Sequence, residues 1–488
     1  MSAAAPDPFN LAEHVLAAGT AAPDHVALSV LSPSRADRWS YARLISSVRG
    51  TATGLLETGL QPGDRVLLRL GDTPDFPVAF LGAIAAGLVP VPTSAALTRP
   101  EITAVATDLA PATLVAGEGI TLPDHAVPVI APDALRAMAS LPPAPWHRGD
   151  PERPGYIVYT SGTSGRPRGV VHAHRAILAR AAMRDGWTGL TPSDRLLHAG
   201  AFNWTFTLGT GLLDPWTLGA TALIPAPGVT TELLPLLLRR HDATIFAAAP
   251  GVFRRMLRAP LPAMPKLRHG LSAGEKLPES TRRAWQDATG THLHEAYGLS
   301  ECSTFVSGSP ARPAPPGTLG WPQPGRQAAL RDGQIAVHRS DPGLMLGYLN
   351  APEDTVARFH GDWFLTGDLA LETETGALIC EGRADDMLNA GGLRVSPLEI
   401  EAAMEAHPAI EEAAACDLAL RPDTTVIGLF YTGTPLDETT LSTHAATRLA
   451  RWKHPRLYIH REALPRSANG KLLRRTLKAH WETAHGQA

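Results

Sequence analysis

The chain has 488 residues, 44% hydrophobic and 19% charged, with a formal net charge of −3. That length is too great for one simple core, so two or more domains are expected, with the composition of a soluble globular protein. The near-neutral balance argues against nucleic-acid binding driven by bulk charge.

Residues 41–45 open a helix, 65–70 read as a strand, 79–86 as a buried helix and 113–116 as a strand. Such alternation predicts a parallel sheet with helices on its faces. The Pro-rich stretch 141–154 reads as a connector. A short apolar run, 156–159, then reads as a buried strand. It leads into Tyr159-Thr160-Ser161-Gly162-Thr163-Ser164-Gly165-Arg166-Pro167-Arg168-Gly169. The following residues, 170–178, are expected to begin a helix. Another α/β block extends to about residue 308, and the Pro-rich stretch 309–324 is a loop. From 326 to 382 short strand-like runs, such as 334–338, predict a small β unit. Beyond 385 a helix (397–407) and a strand (425–431) predict a separate small α+β domain.

Cys302, Cys380 and Cys416 are odd in number and far apart. They indicate neither a disulfide framework nor a zinc site, and fit a reducing compartment. The first seven residues lack the basic region and apolar core of a signal peptide. The apolar run 78–87 is shorter than the ~18 residues a membrane span needs. A cytoplasmic location is the expectation.

Two motifs carry chemistry. In the loop 159–169 the glycines let backbone N–H groups approach a ligand, the Ser and Thr hydroxyls add donors, and Arg166 and Arg168 add charge. This is the composition of a polyphosphate cradle, but no Gly-Lys-Ser/Thr ends it, so it is not a Walker loop. A Gly/Ser surface turn is the plainer alternative. The second motif is Leu464-Pro465-Arg466-Ser467-Ala468-Asn469-Gly470-Lys471. Of 44 Lys and Arg residues only Lys266, Lys276, Lys453, Lys471 and Lys478 are lysine. A compact ammonium at Lys471 suits a tight contact between a carboxylate and a phosphate. On its own it would read as a solvated surface lysine.

Together the two motifs resemble the adenylate-forming superfamily, which includes acyl-CoA synthetases, peptide-synthetase adenylation domains and luciferases. Three further matches lie between them in the family's order. These are Tyr297-Gly298-Leu299-Ser300-Glu301, Thr366-Gly367-Asp368, and Gly382-Arg383-Ala384-Asp385 through Gly392. The context of residues 201–220 and 272–278 is similar to medium-chain acyl-CoA and benzoate-CoA ligases. The resemblance implies an α/β fold with a large N-terminal domain, 1–384, of two α/β subdomains and a small β-barrel-like subdomain. A small mobile α+β domain, 385–488, would follow, with its hinge at Asp385.

It also implies an ATP-dependent acyl-CoA synthetase. A small, medium-chain or aromatic carboxylate would attack ATP to give an acyl-adenylate and pyrophosphate, and CoA would then displace AMP. Thr160, Ser161, Gly162, Thr163, Ser164, Gly165 and Arg168 would hold phosphates, although Arg168 stands where the family carries Lys. Gly274 and Glu275 would form the adenine-side loop, with Tyr297, Gly298 and Ser300 beside the nucleotide. Tyr297 would stack on adenine. Asp368 and Arg383 would contact ribose or phosphate. Glu301 would hold Mg²⁺, and Lys471, Glu301 and Thr160 would be catalytic. Taken alone, Glu301 reads equally as the first-turn acid of a helix beginning at Ser300. Gly391, Gly392 and Leu393 would line the CoA channel.

Phe202, Asn203 and Trp204 would line the acyl pocket; as plain residues they read equally as core. Adenylation domains that take α-amino acids carry Phe-Asp where this chain has Phe202-Asn203, so an amino acid would lose its charged partner. A stand-alone adenylation enzyme loading a carrier protein, a catalytically silent nucleotide-binding protein and a homo-oligomer remain the alternatives.

Overall fold

In the computed structural model, residues 5–160, 167–384, 386–390, 393–421, 424–466 and 472–485 are described. The chain forms two units, 1–328 with 337–364, and 329–336 with 365–488.

The first unit begins with the alternation expected from sequence. Arg65–Arg69 pairs in parallel with Val89–Pro92 on one side and Thr113–Ala116 on the other, with Val129–Ile130 outermost. Val66, Leu67 and Leu68 are fully buried, as a central parallel strand covered on both faces requires. Helix Asp75–Ala85 makes the crossover to the next strand and is buried over almost its whole length, because it is apolar on every side. Helix Tyr41–Glu57 starts where the Ser40 hydroxyl accepts from the Arg43 N–H.

The large sheet of this unit has nine strands. Six neighbours run parallel, in the order His292–Leu299, His269–Ala273, Ile245–Ala248, Arg195–Ala199, Thr221–Pro225, Val26–Leu31. Antiparallel strands close both ends: Ser303–Ser307 and Trp321–Pro322 at one, Ala36–Ser40 at the other. A third, antiparallel sheet sets Arg168–Ala173 between Pro154–Thr160 and Gly347–Tyr348.

This third sheet corrects one expectation. Residues 170–178 do not begin a helix after the glycine-rich loop. Val170 and Val171 pair with Val158 and Ile157, and β-branched side chains favour this pleated setting. Helical turns start only afterwards, in the 3₁₀ segment His174–Arg180. The loop therefore joins two antiparallel strands, and no helix N-terminus stands directly behind it.

In the second unit, Leu378–Arg383 pairs antiparallel with Trp363–Glu372. Helix Pro397–Glu405 begins with Ser396 accepting from the Glu399 N–H. Strand Thr424–Gly433 pairs antiparallel with Ile410–Arg421 and parallel with Leu457–His460. Helix Arg474–His485 packs Leu477 into a cluster with Ala414, Cys416, Leu418 and Phe430. Its Arg474 reaches Glu401 at 2.6 Å. Among the described residues no helix is long and apolar enough to cross a membrane, and Cys302, Cys380 and Cys416 form no disulfide.

Burial of histidines in the first unit gives the fold an acid sensitivity. Desolvation pushes His172 down to about 4, and His174, His198 and His294 down to about 3. Their unfolded value is near 6.5. Depressed groups contribute full stability above that value and lose it as pH falls from ~6.5 toward the folded values. The melting temperature should therefore drop between pH 7 and pH 5, before most carboxylates titrate. An unchanged melting temperature across that interval would contradict the burial of these rings.

Candidate active site

The glycine-rich loop is anchored by its two strands. Thr160 faces Arg168 and Tyr159 faces Gly169 in register. A Cβ on Gly169 would lie 3.1–3.3 Å from Leu349, Ile157 and Tyr159, so glycine permits that approach. Ser161, Gly162, Thr163, Ser164 and Gly165 lie outside the described residues. Arg168 pairs with Asp354 at 2.9 Å and stands over the Tyr348 ring at 5.4 Å. The Tyr348 hydroxyl in turn donates to Glu301 Oε1 at 2.7 Å. Burial, followed by the Glu301 carboxylate, raises the Tyr348 phenol, which stays protonated and remains a donor. Arg168 and Glu301, far apart in sequence, thus meet through one tyrosine.

Glu301 sits in a tight connection between antiparallel strands His292–Leu299 and Ser303–Ser307, and no helix begins there. Gly298 makes the connection possible: a Cβ would stand 2.2 Å from the Ser303 carbonyl oxygen. Ser303 takes the left-handed conformation, at φ 61°. The flanks are braced from four sides. His172 Nε2 donates to the Ser300 carbonyl at 2.7 Å. The Met345 N–H donates to the Glu301 carbonyl at 2.7 Å. Arg326 donates to the Cys302 and Thr304 carbonyls, at 2.9 and 2.8 Å. Arg180 holds the Ser303 hydroxyl while paired with Asp214 at 2.6 Å.

Glu301 suits a hard divalent cation. Tyr348 occupies one carboxylate oxygen, and no group of three or more His, Cys, Asp or Glu is gathered for a metal among the described residues. A single carboxylate can serve Mg²⁺, which usually takes one or two and completes its shell with water and substrate phosphate.

The other nucleotide and acid candidates of this unit lie at the carboxyl ends of the parallel strands, where ligands of open α/β sheets bind. Gly274 follows strand His269–Ala273 with φ +98°, and a Cβ there would be 2.2 Å from the Trp204 ring. Trp204 and Gly274 are therefore in contact. Glu275 beside them is half-buried. Tyr297 meets Phe305 edge-on at 5.4 Å and stays partly exposed. Phe202 goes elsewhere: its ring packs with Phe76 at 5.4 Å in the core of the first sheet, and its N–H donates to Asp72 at 2.8 Å. Asn203 is half-buried between them.

In the second unit, Asp368 stands opposite Arg383 across the Trp363–Glu372 and Leu378–Arg383 pair. Their charged atoms are 3.9 Å apart, and Arg383 donates to the Thr366 carbonyl at 3.0 Å. Gly367 has φ +82°, and a Cβ on it would lie 3.0 Å from Arg383 Nη2. The Asp368 N–H donates to the Thr366 hydroxyl at 3.1 Å. Leu393 opens a short strand paired with Leu388–Ala390. Asp385, Gly391, Gly392 and Lys471 lie outside the described residues.

Sequence reasoning missed Tyr348, Asp354, Arg180 and Arg326. A faint signal existed for the first two: Tyr348 and Asp354 flank the Asn350-Ala351-Pro352 turn within the stretch expected to form a small β unit. Their partners are set by pairing between distant strands.

Comparison with known proteins gives consistent matches. Residues 16–349 match the family model described as AMP-binding enzyme, and 399–471 the AMP-binding enzyme C-terminal domain. The benzoate–CoA ligase of Thauera aromatica is 32% identical, over 91% of this chain and 91% of its own length. The 3-hydroxybenzoate–CoA ligase of Aromatoleum sp. (strain CIB) is 30% identical, over 90% and 92%. A solved benzoate CoA ligase from Burkholderia xenovorans LB400 superposes with TM-score 0.88 at 26% identity, covering 96% of this chain and 100% of that one.

Proposed function

The chain belongs to the AMP-binding enzyme family, and from that premise we propose that it is an AMP-forming acid–thiol ligase. Its substrates are ATP, CoA and a small, medium-chain or aromatic carboxylic acid. A carboxylate oxygen attacks the α-phosphorus and pyrophosphate leaves. The CoA sulfur, losing its proton, then attacks the acyl carbon and AMP leaves. Two anions must meet in the first step, so catalysis is mainly positioning and charge neutralisation.

Within this reading Thr160 and the loop through Gly165 hold the outer phosphates, with Arg168 at the loop's base. Tyr297, Gly298, Ser300, Gly274 and Glu275 border the base and the α-phosphate. Asp368 accepts from the ribose hydroxyls, with Arg383 beside it. Lys471 bridges the acid and the α-phosphate. Trp204 and Asn203 border the acid. Asp385 is the pivot between domains 1–384 and 385–488, and Gly391, Gly392 and Leu393 line the thiol channel. Glu301 would hold Mg²⁺, which supplies charge neutralisation on the phosphates. The odd number and wide spacing of Cys302, Cys380 and Cys416 suit work in the cytoplasm.

The observation that supports this best is the Arg168–Tyr348–Glu301 contact, which brings the base of the phosphate loop to the metal-binding carboxylate. Tyr348→Phe removes one hydrogen bond to a carboxylate, worth about 1.5–3 kcal/mol. The Mg²⁺ concentration giving half-maximal ATP–pyrophosphate exchange should rise about tenfold, with the KM for the acid little changed. Equal rises in both would make Tyr348 a general structural residue.

The reading itself is tested by incubating ATP with a panel of carboxylic acids, with and without CoA, and following AMP and acyl-CoA by mass. AMP with an acyl-CoA is expected. AMP or bound adenylate without acyl-CoA would turn the assignment toward carrier-protein loading, and ADP in place of AMP would contradict both.

A further inference from the structure

His198 lies on strand Arg195–Ala199, one residue before its carboxyl end. It is 1% exposed, and among the described residues neither ring nitrogen has a hydrogen-bond partner. The hydroxyl of Thr207, 0% exposed, is likewise unpartnered. These atoms gather around one glycine. A Cβ on Gly200 would stand 2.5 Å from Thr207 Oγ1 and 3.4 Å from His198 Nδ1. The two polar atoms are therefore within about 6 Å of each other, a span that one bridging oxygen can serve with two ordinary hydrogen bonds.

Gly211 crowds the other side of the imidazole, where a Cβ would be 2.8 Å from His198 Cβ. Along the sheet the neighbours of His198 in register are Ala247 and then Leu271. Phe206 meets the imidazole edge-on at 4.4 Å, and Trp204 meets Phe206 edge-on at 5.3 Å. Trp204 is the ring that rests on Gly274. A continuous run of contacts thus joins the adenine-side loop, the aromatic wall and the unpaired imidazole. Thr207 and Gly211 belong to the π-helical segment Thr207–Leu213, a geometry common at functional sites. Buried polar groups without partners are rare in proteins and costly when left dry.

We propose that His198 and Thr207 form a polar notch at the far end of the acid-binding region and take an uncharged hydrogen-bonding substituent of the acid, a hydroxyl above all. This deepens the ligase reading and rests on it. A neutral imidazole offers one donor and one acceptor, and threonine offers one of each. A hydroxyl can donate to one and accept from the other. A second carboxylate would meet an imidazole and a hydroxyl rather than a matched cation, and a plain alkyl or aryl edge would leave the polar atoms unpaired. The two relatives act, by their names, on an unsubstituted and a hydroxylated benzoate, so likeness leaves the substituent open where the notch does not.

The test compares kcat/KM for CoA-dependent AMP release on matched acids. Benzoate is set against the hydroxybenzoates, and hexanoate against its terminal hydroxy acid, in the unmodified enzyme, His198→Leu and Thr207→Val. Thr207→Val is nearly isosteric, which keeps the test open if His198→Leu fails to fold. The unmodified enzyme should favour the hydroxylated member of at least one pair by about tenfold or more, because a site built to bond a hydroxyl discriminates strongly against its absence. The variants should bring that ratio close to one. A preference for the unsubstituted member in every pair, or a hydroxyl preference that survives substitution, overturns the notch while leaving the ligase standing. Release of no AMP with any acid overturns the ligase reading and the notch with it.

Discussion

Replacing Lys471 by alanine should lower adenylate formation by about 10²–10³-fold, the scale of losing one transition-state donor. A carboxylate and a polyphosphate repel each other, and the transition state gathers their charge at the α-phosphorus. A compact ammonium on a flexible stem can touch both anions, where a broad guanidinium fork would need matched planar partners. The chain prefers arginine throughout yet keeps lysine here, in the run ending Asn469-Gly470-Lys471. Thioester formation from a preformed adenylate no longer needs that contact and should survive much better. ATP–pyrophosphate exchange and thioester synthesis from synthetic adenylate separate the two halves. Equal loss in both would remove Lys471 from the first step.

Asp341→Ala should be the most destabilising substitution near the site, at about 3–5 kcal/mol, because it leaves a buried guanidinium without its counter-ion. Arg326 and Asp341 are 1% and 0% exposed and meet at 2.9 Å. The carboxylate also accepts from the Gln327 and Gly343 N–H groups, both at 2.8 Å. Through the Cys302 and Thr304 carbonyls, Arg326 fixes the C-terminal side of the connection that presents Glu301. The double variant Arg326→Met, Asp341→Leu should recover much of the loss, since a buried pair often breaks even against apolar residues of similar size. Urea unfolding of both variants measures this. A loss below about 1 kcal/mol for Asp341→Ala would show that the pair is not closed off from water.

Local pattern and distant pairing divide what the sequence discloses. The strands at 65–69 and 113–116, the buried helix 75–85 and the helix from Pro397 are legible because each carries its own period or cap. The motif glycines are legible too, since Gly298, Gly274 and Gly367 each stand where a Cβ would crowd a neighbour or the backbone turns left-handed. Residues 170–178 read as a helix start because the strand 168–173 runs straight into the 3₁₀ turns at 174–180. Its identity is decided by partners at 154–160 and 347–348, and no local period encodes a partner so distant. The same holds for Tyr348 on Glu301, Arg326 on Asp341 and His198 beside Thr207. Phe202 and Trp204 share a motif and similar chemistry, yet one enters the core and the other rests on Gly274, a choice made by packing.

Oxygen labelling follows the carboxylate oxygen through the reaction. The acid is supplied with both carboxylate oxygens as ¹⁸O, and AMP is recovered after turnover with ATP and CoA. If the carboxylate attacks the α-phosphorus, one labelled oxygen stays on phosphorus when the thiol expels AMP, and the recovered AMP carries a single ¹⁸O. Unlabelled AMP, or label in inorganic phosphate beside ADP, would rule out adenylate formation by this enzyme.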